Sequence, residues 1–146
     1  MANIIPDSFK SELLAGTHDF KYGTSTQTFK VALYTSLAAY STASTVYLTT
    51  SEVLSAGTGY ATGGQDLALD TLSGSVPGSN TAIVDFTNET FTSVTLTAVG
   101  AAIYNSSKSN KLVLVIDFGG SKSATSGDFT IQWPSPTASD AIIRLG

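Results

Sequence analysis

The triplet Asp117-Phe118-Gly119 is the first place in this 146-residue chain where chemistry might reside. A D-F-G aspartate holds a metal in phosphoryl transfer only alongside a glycine-rich loop, a strand lysine and an H-R-D segment. None of these accompanies it, and the chain holds a single histidine. The plainer reading is a strand that ends at Phe118 and is turned by Gly119 and Gly120. A second glycine-rich stretch, GTGYATGG at 57–64, fits neither G-x-x-x-x-G-K-S/T nor G-x-G-x-x-G, and no helical pattern follows it. It reads as a pair of turns around Tyr60.

His18 stands beside Asp19, but there is no second imidazole, no thiolate and no G-x-S-x-G elbow from which to build a triad or a metal site. It is expected in a solvated loop or as a cap for an N-terminal helix. The carboxylates are weighed next, because a glycosidase needs only two at a fixed separation. Asp66 and Asp70 share a face of QDLALD, while Asp85, Asp117 and Asp128 each precede a phenylalanine. Alternation at a strand end explains the Asp-Phe pairs: one side chain faces the core and the next faces water. A D-x-D-x-D-G calcium loop is missing from the sequence. The N-x-S/T triplets at Asn88 and Asn105 are expected in surface turns. Trp133 and the six tyrosines offer a sugar-stacking alternative, yet W-P-S-P reads first as a strand ending at Trp133. No catalytic residue, cofactor or metal is expected, and the chain is read as a non-enzyme.

The composition points to architecture. Only 12% of residues are charged, and the seven cations are scattered along the chain with a formal net charge of -4, which argues against a nucleic-acid groove. MANIIPDSFKSELLAG lacks the basic and apolar regions of an export signal, and no apolar run approaches the length of a membrane span, so no membrane partner is expected. There is no cysteine to staple the fold. A mean hydropathy of +0.17 with so few charges suggests that part of the surface is covered in an assembly, with a homo-oligomer as the expected state.

The elements that must carry any site are mostly strands. Pro6, Asp7 and Ser8 start a short helix over 8–15, ended by Gly16. Strand patterns follow in FKVALYT, VYLTT, QDLALDTL, TAIVDF, SVTLTAVGAAIYN, KLVLVIDF, DFTIQWP and AIIRL, with loops such as SGSVPGSN and GGSKSATSG between them. A single helical turn is possible near Ser51 to Leu54. The expected fold is all-β: a single β-sandwich domain over 1–146, jelly-roll or Ig-like, of about eight strands, with residues 1–27 as a helix and arm. In KLVLVIDF both faces are largely apolar, so the hairpin around NSSKSN needs a second cover from a helix, a loop or another subunit.

FKSELLAGTHDF, FKVALYTS, TSEVLSAGTGYATGG, TAVGAAIYNSSKSNKLVLVIDFGG and SGDFTIQWP followed by AIIRL, taken in that order, resemble a family of small virion structural proteins of tailed bacteriophages. The resemblance implies a virion location and a capsid-decoration (cement) role, with the major capsid protein or another virion protein as partner. It carries no catalytic residues to transfer. A head-tail junction or tail component is the structural alternative, and a carbohydrate-binding module on the virion is the alternative of another class. The expected contact residues are Phe9 and Leu13 on the helix, Tyr60 in the glycine-rich loop, and Val113 and Val115 on the second apolar face.

Overall fold

A computed structural model describes residues 2–78 and 80–146. The loop expected over 73–80 therefore includes one residue, Ser79, that lies outside the described residues, as does Met1 of the arm. The chain is all-β with one short helix: α1 (Asp7–Leu14), β1 (Phe29–Tyr34), β2 (Gln65–Leu67), β3 (Ala82–Val84), β4 (Glu89–Asn105), β5 (Lys111–Ile131) and β6 (Ile143–Leu145). The chain packs as two compact units. One comprises the chain up to His18, Gln27–Asp66 and Phe91–Phe129; the other comprises Asp19–Thr26, Leu67–Thr90 and Thr130–Gly146.

The first unit is built on an antiparallel sheet of order β2-β1-β4-β5. Phe29 faces Asn105 and Tyr34 faces Gly100 across β1 and β4. Both strands are buried on both faces here, which explains why FKVALY lacks a polar side despite its period-2 pattern. Farther out, β4 becomes half-buried: Val94, Leu96 and Ala98 point inward, while Thr95 and Thr97 are exposed. Gly100 sits at the crossing point, where a Cβ would lie 2.3 Å from the Ile116 carbonyl oxygen and 2.5 Å from Leu37 Cδ1.

Where the sequence reads as two strands, KLVLVIDF and DFTIQWP, the chain forms one strand of 21 residues. From Gly100 back to Thr97, β4 advances three positions, while β5 runs from Ile116, beside Gly100, to Ser123, whose hydroxyl is 2.7 Å from that of Thr97. The excess forms a bulge containing Gly119 and Gly120, with φ of 72° and 146°. The D-F-G-G stretch therefore kinks a strand without ending it.

The second unit contains β3 and β6, antiparallel with Ala82 opposite Leu145 and Val84 opposite Ile143. Bridges Leu69 to Phe86 and Ser75 to Ile83 extend it, around buried Ile83, Val84, Phe86, Ala141 and Ile143. VYLTT contributes only a bridge, Val46 to Lys111, and Ser51 to Leu54 forms no helix: Glu52 bridges Tyr34 instead.

At eight residues, α1 is too short to persist without docking. Its start is fixed by Asp7 N–H on the Thr42 carbonyl, 2.8 Å, and its end by Gly16 in a left-handed turn, φ 70°. Phe9 is buried to 1% exposure, a gain of about 1.5–3 kcal/mol that the unit would lose with the helix. The helix thus belongs to the core of its unit and is not the peripheral arm its sequence position suggests.

Candidate functional site

Four of the five residues expected to meet a partner are inside the chain. Phe9, Tyr60, Val113 and Val115 are buried to between 0% and 3% exposure, and Leu13 is half-buried. The second apolar face of the hairpin is covered by the chain itself. Val113 is fully buried, and Leu37, Tyr40, Tyr47 and Leu48 from the segment after β1, with Ile4 from the N-terminal arm, pack in one cluster with Val115 and Leu112. The Phe9, Tyr60, Val113 and Val115 side chains are therefore unavailable to a partner in this fold.

Tyr60 is buried because its hydroxyl has a carboxylate to serve. It donates to Glu52 Oε1 at 2.7 Å and accepts from Leu33 N–H at 3.0 Å. Gly63 N–H donates to the same Oε1 at 2.6 Å, and the Tyr47 hydroxyl donates to Oε2. Tyr104 stacks on Tyr47 with ring centroids 4.5 Å apart and donates to the Gly63 carbonyl at 2.6 Å. Beside them, Tyr40 donates to Tyr34, and Tyr34 to the Leu48 carbonyl. Burial, reinforced by the Glu52 charge, raises the Tyr60 and Tyr47 phenols above their ordinary range, and Tyr104 is pushed up to about 12 by the same causes. The phenols consequently remain donors at any physiological pH. The arrangement ties three loop segments to β1 and β4. It was legible in sequence only as a high tyrosine count, since Glu52 carries no motif.

His18 is likewise buried, not solvated. Its Nε2 lies 2.9 Å from Glu12 Oε2 and its Nδ1 3.0 Å from Asn105 Nδ2. Asn105 is fully buried at the end of β4, not in a surface turn, and also donates to Gln27 Oε1 at 2.6 Å. Lys111 closes the group on Glu12 Oε1. Burial would raise the Glu12 carboxyl, but its bonds to Lys111 and His18 outweigh that and hold it below its ordinary value.

The carboxylates flagged by sequence have separate local roles. Asp66 pairs with Lys30 at 2.8 Å, and Asp70 accepts Leu72 N–H at 2.9 Å in a turn. Asp85 breaks the alternation rule: both it and Phe86 are buried. Its Oδ1 accepts Phe86 N–H at 2.9 Å, while Oδ2 is buried without a hydrogen-bond partner. Burial raises its pKa against the pull of the Phe86 and Ile142 N–H groups. The folded state therefore favours the neutral acid, and stability is full below the unfolded value near 3.8 and falls as pH rises through the folded value. Asp85→Asn should raise stability at pH 7 by about 1 kcal/mol, the scale of one ill-satisfied buried group. Urea unfolding at neutral and acid pH should show that gain vanish below about pH 4; a loss at neutral pH would contradict it. Trp133 packs on Phe86 with centroids 6.2 Å apart and its Nε1 buried, so its indole is committed to its own unit. Among the described residues, no three of His, Asp and Glu gather as a metal site.

What faces outward is the distal half of the β4–β5 hairpin. Among the described residues, the outer edge of β5 is covered near its start, where Val46 bridges Lys111, Ile4 exchanges two hydrogen bonds with Val115 (2.8 and 2.9 Å), and Asn3 accepts Asp117 N–H at 2.9 Å. β5 is the last strand of the sheet, and from Gly119 to Asp128 its residues are exposed except for half-buried Ala124 and Gly127. Hydroxyls line this stretch, with the Thr90–Thr130 pair 2.9 Å apart nearer its base. Two shallow grooves flank it in the first unit. One, of about 590 Å³, includes Thr35, Leu37, Val99, Asp117 and Gly119; the other, of about 470 Å³, includes Val53, exposed Leu54, Thr95, Thr97 and Ser123. No protein-family model, curated protein or solved structure matches the chain.

Proposed function

We propose that this chain is a non-enzymatic structural subunit that binds the capsid surface of a tailed phage and stabilises the head. The observation that carries the reading is the distal edge of β5, open from Gly119 to Asp128, low in charge and flanked by grooves. A strand edge of this kind suits repeated docking, because main-chain groups supply affinity without any reactive side chain. The family resemblance of the sequence supplies the particle, with the major capsid protein or another virion protein, and further copies of the chain, as partners. Interface area repeated by symmetry provides avidity, so no single contact need be strong.

Quantitative mass spectrometry of purified particles tests the proposal. Copy numbers on the order of hundreds are expected for a head-decorating subunit, whereas about six or twelve would mark a ring at the neck or tail and overturn it.

A further inference from the structure

We propose that His18 is an acid-released latch that holds the N-terminal segment, residues 2–18, against the end of the β4–β5 hairpin. The hydrogen-bond chain allows only one neutral tautomer. Glu12 Oε2 can only accept, so His18 Nε2 carries the ring proton; Asn105 Nδ2 donates one hydrogen to Gln27 Oε1 and the other to His18 Nδ1. Gln27 is oriented in turn by donating to the Thr17 carbonyl at 3.2 Å. A second proton on the ring must go to Nδ1, where it meets an N–H donor. Turning the Asn105 amide to offer Oδ1 would set that oxygen against Gln27 Oε1, and turning Gln27 as well would forfeit its bond to Thr17. Either way, a tether between residues 17–18 and the β-sheet is lost.

The surroundings act in the same direction. The His18 side chain is fully buried, with the Phe9 ring 5.3 Å away. The charged groups facing it are Glu12 from α1, Lys111 from β5 and Lys108 from the turn between β4 and β5. Burial lowers the His18 pKa, and Glu12 opposes that while Lys111 and Lys108 add to it. A histidine held neutral by folding contributes stability that is present above its unfolded value near 6.5 and is lost as pH falls through the lowered folded value. The segment also carries Ile4, whose pairing with Val115 covers the near part of the β5 edge. Release in acid thereby lengthens the open edge. The latch stands whether or not the chain decorates a capsid.

Amide hydrogen exchange on the full chain from about pH 7.5 to about pH 5, corrected for intrinsic rates, provides the test. Protection of the Thr17, Asp7 and Val115 amides should fall by up to about tenfold per pH unit as pH drops from the unfolded value near 6.5 to the lowered folded value, and level off below it, while Val31 and Ile103 stay protected. Because His18 is the only histidine, its imidazole NMR signal reports the folded-state transition directly, and it should titrate below 6.5, at the pH where the loss of protection levels off. His18→Gln keeps a donor for Glu12 and an acceptor for Asn105 and should abolish the pH dependence. Protection flat across the range, imidazole titration at or above 6.5, or an undiminished drop in His18→Gln would each overturn the latch. If that variant fails to fold, the imidazole titration and the exchange of the unaltered chain decide between these outcomes.

Discussion

Glu52→Ala is expected to destabilise the protein by at least about 3 kcal/mol, because it leaves three donors facing a void where a carboxylate stood. Tyr60 hydroxyl, Tyr47 hydroxyl and Gly63 N–H all end on Glu52, which is 6% exposed. Each buried donor left unsatisfied costs about 1–3 kcal/mol. Water entering the cavity would offset part of this, but the Tyr47–Tyr104 stack and the Gly63 turn depend on the same anchor. Thermal unfolding should register the loss as a fall of roughly 6–12 °C for a chain of this size. Tyr60→Phe, which removes one hydroxyl and orphans Leu33 N–H, should cost less, about 1–2 kcal/mol. If Glu52→Ala fell within about 0.5 kcal/mol of the parent, the range of ordinary surface substitutions, the network would not anchor the loops.

Gly64→Ala should be more severe still, beyond about 4 kcal/mol and seen as failure to accumulate folded protein. A Cβ at Gly64 would lie 1.8 Å from the Val31 carbonyl oxygen and 2.8 Å from Ala32 Cα, both backbone atoms of the central strand. Neither can move without breaking the pairing of β1 with β4. Gly57 is the matched control. Its φ of 73° equals that of Gly64, but its Cβ position is open. Gly57→Ala pays only for the left-handed backbone, about 1 kcal/mol. Soluble yield and urea unfolding of the two variants separate crowding from conformational strain; equal behaviour would mean that the close approach of Gly64 to β1 is not a constraint on the fold.

These two sites mark where the sequence stops being readable. Alternation in FKVALYT and SVTLTAVGAAIYN located β1 and β4, and Pro6, Phe9 and Gly16 located α1, because local period and punctuation determine such elements. The long β5 reads as two strands because its glycine pair mimics a chain reversal. A bulge and a turn need the same positive φ, and only the ladder to β4 tells them apart. Tyr60 was expected outside because it lies among glycines. It is inside because Glu52, eight residues earlier, needed donors, a pairing without a sequence period. His18 has no catalytic companions in the sequence, and the partners it does have, Glu12 six residues earlier and Asn105 far along the chain, share no motif with it. The fold class was therefore legible, while the buried polar groups that fix the loops were not.

On the proposed function, the exposed stretch of β5 from Gly119 to Asp128 fixes this chain to a phage head. A reconstruction of the intact particle at side-chain resolution tests it most directly. The chain is expected on the outer head surface at symmetry-equivalent positions, with the Gly119 to Asp128 stretch of β5 against the capsid protein or a neighbouring copy. Finding the chain only at the neck or tail, or on the head with that stretch left in solvent, would contradict it.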